Sequence, residues 1–545
     1  MTVHYAGEHF TCSGKPSGRH RALRLARLAT AMIIGANFVW AIGSSVAAAS
    51  SRRTAASTSA GMLMIATSLT TISRVTFDPT LAIAQAENIP WELAIYDTLL
   101  HRSPKTGAFM PGLATRVTIV NPTTIAITLR RGVRFSDGTP LDASAVRFGL
   151  LRNKNASQHG QFDSSLQQIA SIDVTGQDTL TINLASPVAG QLYDQFYLPS
   201  TYLVSPSAAQ KPGANLATAP VGAGPYELQS YVPDQSITLV RNPDYWDAKA
   251  IKLRAIEFIN VPTATQQVNA LEGGTVNLTQ LSNFSSVSAL RGRYPVVQVR
   301  TPNAPLWSNV CKSASPLSDV RVRQALNYAI DRPLIVKTIQ AGIGSPEWNL
   351  WPSGTPYFDK SLVNVYNYDP KKAKALLAAA GFPNGFDTTM LVIPGSALAA
   401  EVDQVLQQEW QAIGVHLTLT PALSFADLYV KHLAPLGVVS GSAVGSFGPV
   451  SGFAPGTISD LCNYADPTID ALYAQAKAVS PASPKGVALL RQMQHQIIRQ
   501  ALGIFISTLP AVFAHSSSVR ALTMNPYYDI APIPDYWSGI VSSSA

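Results

Sequence analysis

Side chains able to do metal or thiol chemistry are few in this sequence. Beyond residue 49 the only cysteines are Cys311 and Cys462, and neither CxxC nor the Cys/His spacing of a zinc site occurs. Two thiols could form a disulfide bond in an oxidising compartment, or each could be buried as a small apolar side chain. The sequence leaves both alternatives open and predicts no metal site.

The common catalytic motifs are also absent. The sequence lacks GxSxG, HExxH and GxxxxGK[ST], which excludes the usual serine nucleophile elbow, zinc protease helix and phosphate loop. GAGPYE, from Gly222 to Glu227, looks like part of a dinucleotide loop, but it lacks the third glycine and precedes LQSYV, which is typical of a strand. We interpret it as a glycine turn and predict no cofactor.

Titratable side chains show no catalytic grouping. The histidines beyond residue 49 form neither HxH nor a helical pair three or four residues apart. The carboxylates that can be placed lie at caps and turns, where they have structural roles, and they are Asp137, Asp142, Asp319 and Asp369. The sequence therefore favours a protein that is not an enzyme, and a secreted hydrolase is the least favoured hypothesis.

The elements that would position any site alternate between strands and helices. GMLMIATS, from residue 61, has the length of a strand, and TTIAITL places Ile125, Ile127 and Leu129 on one face of another. Asp142 is the predicted N-cap of one helix, and Asp369 is the predicted N-cap of the next clear one. Pro370 at the first helical position and Gly381 as the stop complete that signal. Such alternation predicts an α/β architecture in more than one lobe.

Length and net charge limit the classes of protein to which the chain can belong. A chain of 545 residues, 46% of them hydrophobic, predicts two or three globular domains. The formal net charge is +8, but five basic side chains lie in residues 1–49, and without that segment the charge is +4. Since no dense Lys/Arg run remains, we expect no nucleic-acid partner.

The first 49 residues have the order of a secretory signal peptide. A basic stretch is followed by an apolar one, Leu28 to Ile42, and then by VAAAS, with cleavage expected after Ala48 or Ala49. The apolar stretch is short for a membrane span. Cys12 lies well before it, so a lipid-anchored cysteine at the cleavage point is not expected. We expect a periplasmic protein that is not a lipoprotein.

The segment RNPDYWD places Tyr245 and Trp246 directly behind an Asn-Pro-Asp turn. It follows the strand-like SITLV and would turn the chain back toward IKLRAIEFINV. We expect both aromatic rings to pack over this hairpin and to satisfy their polar tips locally. They would then stabilise the fold without touching a ligand.

Six segments together resemble the extracytoplasmic solute-binding proteins, family 5, of ABC importers. That family includes oligopeptide-, dipeptide- and nickel-binding proteins, and the segments occur in the family's order over nearly the whole chain beyond the leader. They are LRRGVRFSDGTPLDASAVRFGL (129–150), VGAGPYELQSYVPDQSITLVRNPDYWD (221–247), PLSDVRVRQALNYAIDR (316–332), YDPKKAKALLAAAGFPNGF (368–386), LQQEWQAIGVHLTL (406–419) and NYADPTIDALYAQA (463–476).

The resemblance implies an α/β fold of the two-lobed periplasmic binding protein type (type II, in its large three-domain variety), with a ligand cleft between the lobes. The implied organisation is a signal peptide over 1–49, a flexible connector over 50–60, lobe I over 61–302 with a subdomain at about 100–215, lobe II over 303–515, and a return to lobe I over 516–545.

The implied function is that of the substrate-binding component of an ABC transporter. Such a protein captures a peptide or peptide-like solute by hinge closure and delivers it to the permease subunits in the membrane. We expect a monomer without a cofactor. The alternatives are a receptor for a non-peptide solute, such as a metal chelate, a glutathione-like compound or an opine, and a chemosensory receptor.

Ligand contacts follow from the resemblance residue by residue. Around Ala86, extended backbone would pair with a peptide. Phe148 stands where a peptide-binding relative has Tyr. Trp348 and Trp351 are loop aromatics that could line the cleft or cover it. Further candidates from the second lobe are Phe425, Tyr429, His432, Ser446 and Phe447. Phe425 and Tyr429 could equally be core residues of an amphipathic helix.

Ser446 marks a departure from the family pattern. Peptide binders often carry an Asp at this place, where it pairs with the α-ammonium of the ligand, and a serine hydroxyl cannot replace that charge. The sequence therefore questions recognition of a free peptide N-terminus. Asp460, a little downstream, could substitute, although a cap or turn role is the favoured interpretation.

Overall fold

The structure is a computed structural model. It describes residues 61–69, 75–82, 89–156, 165–281, 284–299, 305–313, 315–393, 396–423, 434–437, 445–455, 457, 460, 462–520, 522–526, 533–534 and 540–541. The predicted signal peptide and connector lie outside these residues, as do the candidate ligand residues Ala86, Phe425, Tyr429 and His432.

The largest sheet is mixed and, among the described residues, has seven strands. Met62–Thr67 confirms the predicted GMLMIATS strand and runs parallel to Ala255–Asn260 on one side and Leu278–Gln280 on the other. The order across the sheet is Val296–Val299, Ala511–His515, Leu278–Gln280, Met62–Thr67, Ala255–Asn260, Ser236–Arg241 and Tyr226–Val232.

A second, antiparallel sheet lies beside the first. Its order is Ala114–Asn121, Thr124–Leu129, Thr179–Leu184 and Ile169–Gly176. The prediction for Thr124–Leu129 is confirmed, because Ile125, Ile127 and Leu129 all point into the core beneath this sheet. The hairpin formed by Leu100–Arg102 and Phe109–Pro111 precedes it.

The described residues between 305 and 508 form two further strand pairs. Pro305–Asn309 runs antiparallel to Gly503–Thr508, and Phe386–Val392 runs parallel to Val415–Pro421. Near the C-terminus, the short pairs are Val519–Arg520 with Ile540–Val541 and Met524–Asn525 with Ile533–Pro534.

Helices cover these sheets, and the predicted caps begin them. The Asp142 carboxylate accepts a hydrogen bond from the Ala145 backbone N–H at 2.9 Å, and Asp369 accepts one from Lys372 at 2.9 Å. The α-helices are Pro79–Ala82, Ile89–Ile95, Ala143–Lys154, Ala189–Gln195, Pro206–Ala209, Ala264–Glu272, Phe284–Leu290, Val320–Tyr328, Arg332–Thr338, Pro370–Ala379, Ala397–Gln411, Gly448–Ser451, Pro467–Lys477 and Pro484–Arg499. The 3-10 helices are Leu166–Gln168, Pro199–Thr201 and Lys360–Leu362. None of the described helices is long and apolar enough to cross a lipid bilayer.

Separate hydrophobic cores divide the described residues into two parts. The buried members of two clusters come entirely from residues 306–506, and we call this part lobe II. The buried members of the other three come from residues 63–299 and 511–524, and we call this part lobe I. The domain limits given by the sequence analysis remain predictions.

The GAG sequence at residues 222–224 is a turn that leads into the strand Tyr226–Val232, as predicted. The Gly224 backbone N–H donates to the Ile95 carbonyl at 2.9 Å. A Cβ atom would lie 2.1 Å from this same carbonyl oxygen at Gly222 and 2.5 Å from it at Gly224. The two glycines therefore let the turn approach the helix Ile89–Ile95, and they do not form a phosphate loop.

Tyr245 is buried and Trp246 partly buried, as expected, but the partner of their polar tips is not local. The Tyr245 hydroxyl donates to Asp97 Oδ2 at 3.1 Å, and the Trp246 indole N–H donates to the same oxygen at 2.7 Å. His101 Nε2 lies 2.5 Å from Asp97 Oδ1, and the Arg130 guanidinium stacks over the Trp246 ring at 3.8 Å. The prediction of local satisfaction was wrong, because a buried carboxylate from a distant segment attracts these donors more strongly than the hairpin backbone does.

We expect Asp97→Asn to lower the free energy of unfolding by about 2 kcal/mol, because hydrogen bonds to a charged group are lost. Burial alone would raise the pKa of Asp97, but His101 and the hydrogen bonds from Trp246 and Thr98 hold it below its ordinary value. A lowered carboxyl pKa stabilises the fold above about pH 4, and the effect is lost as the pH falls through the folded-state value. Urea unfolding at pH 7 and pH 3 should therefore show a smaller difference between wild type and variant at pH 3. Equal differences at both pH values would contradict this role.

Cys311 and Cys462 form a disulfide bond within lobe II, which resolves the alternative that the sequence left open. Their Cα atoms are 4.9 Å apart, although 151 positions separate them in sequence. Tyr464 adds to the contacts near this bond, since its hydroxyl oxygen lies 2.8 Å from the carbonyl oxygen of Val310 and 2.8 Å from that of Leu502. The bond ties the start of lobe II to the segment before the helix Pro467–Lys477.

Candidate functional site

The two lobes meet at the carboxylate of Asp194. This side chain lies on the lobe I helix Ala189–Gln195 and is fully buried. Ser446, in lobe II, donates its backbone N–H to Asp194 Oδ2 at 2.6 Å and its hydroxyl to Oδ1 at 2.8 Å. The contact joins residues 252 positions apart and connects the lobes directly.

The charges and hydrogen bonds around Asp194 cancel only part of the effect that burial has on the pKa of its carboxyl. Burial raises the pKa of the Asp194 carboxyl, while the Arg102 guanidinium and the hydrogen bonds from Ser446 and Phe447 oppose that change. Arg102 stacks over the rings of Phe109 at 4.2 Å and Tyr197 at 4.9 Å. The junction is therefore a buried carboxylate close to a guanidinium that two aromatic rings hold in place.

Tyr357 extends this junction into lobe II. Burial raises the pKa of its hydroxyl, and the nearby Asp194 carboxylate raises it further. The Tyr357 hydroxyl donates to the Pro481 carbonyl at 3.3 Å, and the Trp351 ring packs against Tyr357 at 5.0 Å. Trp351 is itself fully buried, and its indole N–H has no hydrogen-bond partner among the residues that the structure describes.

The structure brings some of the predicted ligand residues together and separates others. Ser446 and Phe447 lie at the junction, and Phe447 is buried edge-on against Tyr473 at 6.3 Å. Phe148 lies elsewhere, in a groove of about 470 Å³ on the lobe I helix Ala143–Lys154, between Arg147 and Arg152.

Asp460 has the turn role that the sequence favoured. It is buried, and its carboxylate accepts the Tyr464 backbone N–H at 3.0 Å. The junction carboxylate is instead Asp194, which sequence reasoning missed because its partner is in the other lobe and no motif surrounds it.

A cavity of about 480 Å³ also lies between the lobes, lined from both sides. Lys105 and Pro526 line it from lobe I, and Glu347, Trp348 and Phe358 are among the lobe II residues around it. This volume falls in the range of about 300–1,000 Å³ that is usual for small-molecule sites. Sequence reasoning missed Lys105 and Glu347, although a carboxylate inside the aromatic loop EWNLWPSG was a usable signal.

The cavity wall in lobe II includes a buried carboxyl group. Glu347 is 4% exposed, and its Oε1 accepts the backbone N–H groups of Trp348 and Asn349 at 2.9 Å each. Burial raises the pKa of its carboxyl, and these hydrogen bonds lower it in part. The Trp348 indole N–H donates to the Tyr366 carbonyl at 3.2 Å, which fixes the ring at the cavity wall. No cluster of three or more potential metal ligands occurs in the described part of the chain.

Residues 108–453 match the family described as bacterial extracellular solute-binding proteins, family 5, middle part. The chain belongs to this family. Family 5 consists of solute-binding proteins. The membership of this chain in the family therefore confirms the prediction that the chain is not an enzyme.

Proteins similar to this chain include glutathione-binding proteins named GsiB. Over 298 residues the chain is 30% identical to the protein from Salmonella typhimurium (strain LT2) and 28% identical to the one from Escherichia coli (strain K12). The matched region covers 54% of this chain and spans only 58% of the length of these relatives.

Solved structures of this kind share the fold over a longer range. The protein DppA from Helicobacter pylori, in complex with the peptide STSA, has a TM-score of 0.71 and 21% identity, covering 88% of this chain and 98% of that one. HbpA2 from Haemophilus parasuis has a TM-score of 0.76 and 20% identity, covering 88% and 99%. AgaA from A. tumefacien R10, in complex with agropinic acid, has a TM-score of 0.69 and 22% identity, covering 85% and 94%. The predicted two-lobed α/β binding-protein fold is confirmed.

Proposed function

We propose that this family 5 protein is the substrate-binding component of an ABC transporter for a peptide or peptide-like solute. The cavity lined by both lobes carries this proposal, because a solute held there contacts lobe I at Lys105 and lobe II at Glu347. Closure around such a solute gives a permease a shape that differs from the open form. The similar proteins named GsiB are glutathione-binding proteins. Their name supports the inclusion of small peptide-like compounds in the proposed class of solutes.

The proposal includes export and a defined chain organisation. Residues 1–49 act as a cleavable signal peptide, and the mature protein is a periplasmic monomer without a lipid anchor. The proposed return of the chain to lobe I is supported by Ala511–His515, which pairs with Leu278–Gln280 and Val296–Val299 of the lobe I sheet.

Ser446 stands where the peptide binders of the family often have an aspartate. We therefore infer a solute that is recognised without that carboxylate. The Ser446 backbone N–H and hydroxyl are both bound to Asp194 in the described structure, so this position contributes to contact between the lobes. Longer peptides held by backbone pairing, and zwitterionic compounds other than peptides, satisfy this condition.

Native mass spectrometry of the mature protein, purified gently from its own host, tests the proposed function. Denaturation should release a bound peptide or peptide-like compound, which tandem mass spectrometry identifies. Release of a single non-peptide solute would replace the substrate class, and a protein that is always empty and binds no peptide in a library would contradict the function itself.

We expect Asp194→Asn to shift the protein toward an open form. The substitution removes a charged acceptor that Ser446 bonds twice, which is worth about 1.5 kcal/mol, or about a tenfold change in the ratio of closed to open molecules. Small-angle X-ray scattering should show a larger radius of gyration for the variant without solute, and the solute should bind more weakly. Asp387→Asn, at an exposed position in lobe II, is the matched control. An unchanged radius and unchanged affinity would show that the junction does not control closure.

A further inference from the structure

Glu347 is a buried carboxylate for which the described residues provide no cationic partner. It is 4% exposed and lines the cavity between the lobes, yet no ion pair joins it to a Lys, Arg or His in the described part of the chain. Both backbone hydrogen bonds to this side chain end on Oε1, and the Asn349 side chain also acts on the carboxyl as a hydrogen-bond donor. A desolvated carboxylate is costly unless a cation neutralises it, and a ligand cation in the cavity would do so.

The surroundings of Glu347 suit an organic cation better than a metal ion. The Trp348 and Phe358 rings line the same cavity, and an aromatic face stabilises an ammonium or guanidinium group close to it. Trp348 cannot turn away, since its indole N–H is bound to the Tyr366 carbonyl at 3.2 Å. No other carboxylate is among the described residues that line the cavity, so a divalent ion would lack the several oxygen ligands that it requires.

Lys105 offers the opposite charge from lobe I. It lies between the strands Leu100–Arg102 and Phe109–Pro111, is exposed, and has no ion pair among the described residues. The neighbouring lobe I wall is held in place, because the Asn525 side chain next to Pro526 donates to the Arg102 carbonyl at 3.1 Å. A carboxylate or other anion on a ligand would find its partner on this side of the cavity.

We propose that the solute is a zwitterion whose cationic nitrogen binds Glu347 and whose anionic group binds Lys105. This inference rests on the proposed function and narrows its substrate class. The two charges of the solute then link lobe II to lobe I, so a neutral or purely anionic compound of the same size does not close the cavity. The cation site lies on the loop that follows Ser345, and the charge absent at Ser446 is supplied from a different part of lobe II.

The test uses the mature protein with the solute that it releases in native mass spectrometry. That solute, and the same compound acetylated at its amine, are titrated into the wild type, Glu347→Gln and Lys105→Met by isothermal calorimetry. We expect at least a tenfold loss of affinity from N-acetylation, from Glu347→Gln and from Lys105→Met. Glu401→Gln and Lys374→Met, at exposed lobe II positions, are the matched controls and should bind as the wild type does.

The outcomes separate the two proposals. A released solute without a cationic nitrogen, or one that Glu347→Gln binds as tightly as the wild type does, overturns the zwitterion site and leaves the transport function standing. If Glu347→Gln does not fold, the acetylated solute and the Lys105→Met variant still test the zwitterion site, because neither changes the loop that carries Glu347. A protein that binds neither its host's solutes nor peptides would overturn both proposals.

Discussion

Loss of the Cys311–Cys462 disulfide is expected to lower the free energy of unfolding of lobe II by about 4 kcal/mol. The bond closes a loop with a sequence separation of 151, and a long closed loop restricts the unfolded chain strongly. Both cysteines are buried in one hydrophobic cluster, so the bond also holds together residues that the folded core needs in contact.

The double variant Cys311→Ala/Cys462→Ala, compared with the wild type by thermal denaturation, measures this effect. For a unit of about 200 residues, a loss of this size lowers the transition temperature by roughly 10 °C. Wild-type protein in a strong reductant should fall toward the same temperature, whereas the double variant should not respond to reductant. If the wild type and the variant melt together under oxidising conditions, the bond does not contribute as described.

Replacement of Arg332 by Met is expected to lower the free energy of unfolding by about 4 kcal/mol. Arg332 is 1% exposed and donates from Nε to the Phe505 carbonyl at 2.6 Å and from Nη1 to the Tyr366 carbonyl at 3.1 Å. Its Nη2 donates to Asn327 Oδ1 at 3.0 Å. Burial lowers its pKa to about 10, which still leaves it charged at neutral pH.

The cost arises from the acceptors that Arg332 leaves behind. Met fills much of the volume but donates no hydrogen bond, so the buried carbonyls of Phe505 and Tyr366 and the Asn327 side chain lose this donor. Urea unfolding should show a lower midpoint for Arg332→Met and little change for the control Arg116→Met on an exposed face of a strand. An equally small change in both variants would mean that water replaces these bonds without cost.

Local signals in the sequence predicted local structure well. Asp142 and Asp369 cap their helices because an N-cap needs only a carboxylate and the backbone N–H groups within the next few residues. The alternation of Ile125, Ile127 and Leu129 likewise depends on a single strand and one buried face. The six family segments extended this success to the overall fold, which the solved relatives share.

Contacts between segments that are far apart in the sequence could not be predicted from such local signals. Asp97 binds Tyr245 across 148 positions, and Asp194 binds Ser446 across 252, with no repeating pattern to connect them. The pairing of Cys311 with Cys462 also depends on a distance that only the fold determines. Four of the ligand residues named from the resemblance lie outside the described residues, and these assignments stay predictions.

The place of Ala511–His515 in the large sheet sets a limit on the order of folding. This strand lies between Leu278–Gln280 and Val296–Val299, so that edge of the sheet stays incomplete until almost all of the 545 residues have been synthesised. A nascent chain can assemble the core of lobe II earlier, since its buried members end at residue 506. Pairings between such distant segments form slowly. Loss of the last 35 residues would therefore damage the first lobe that the ribosome begins and spare the second.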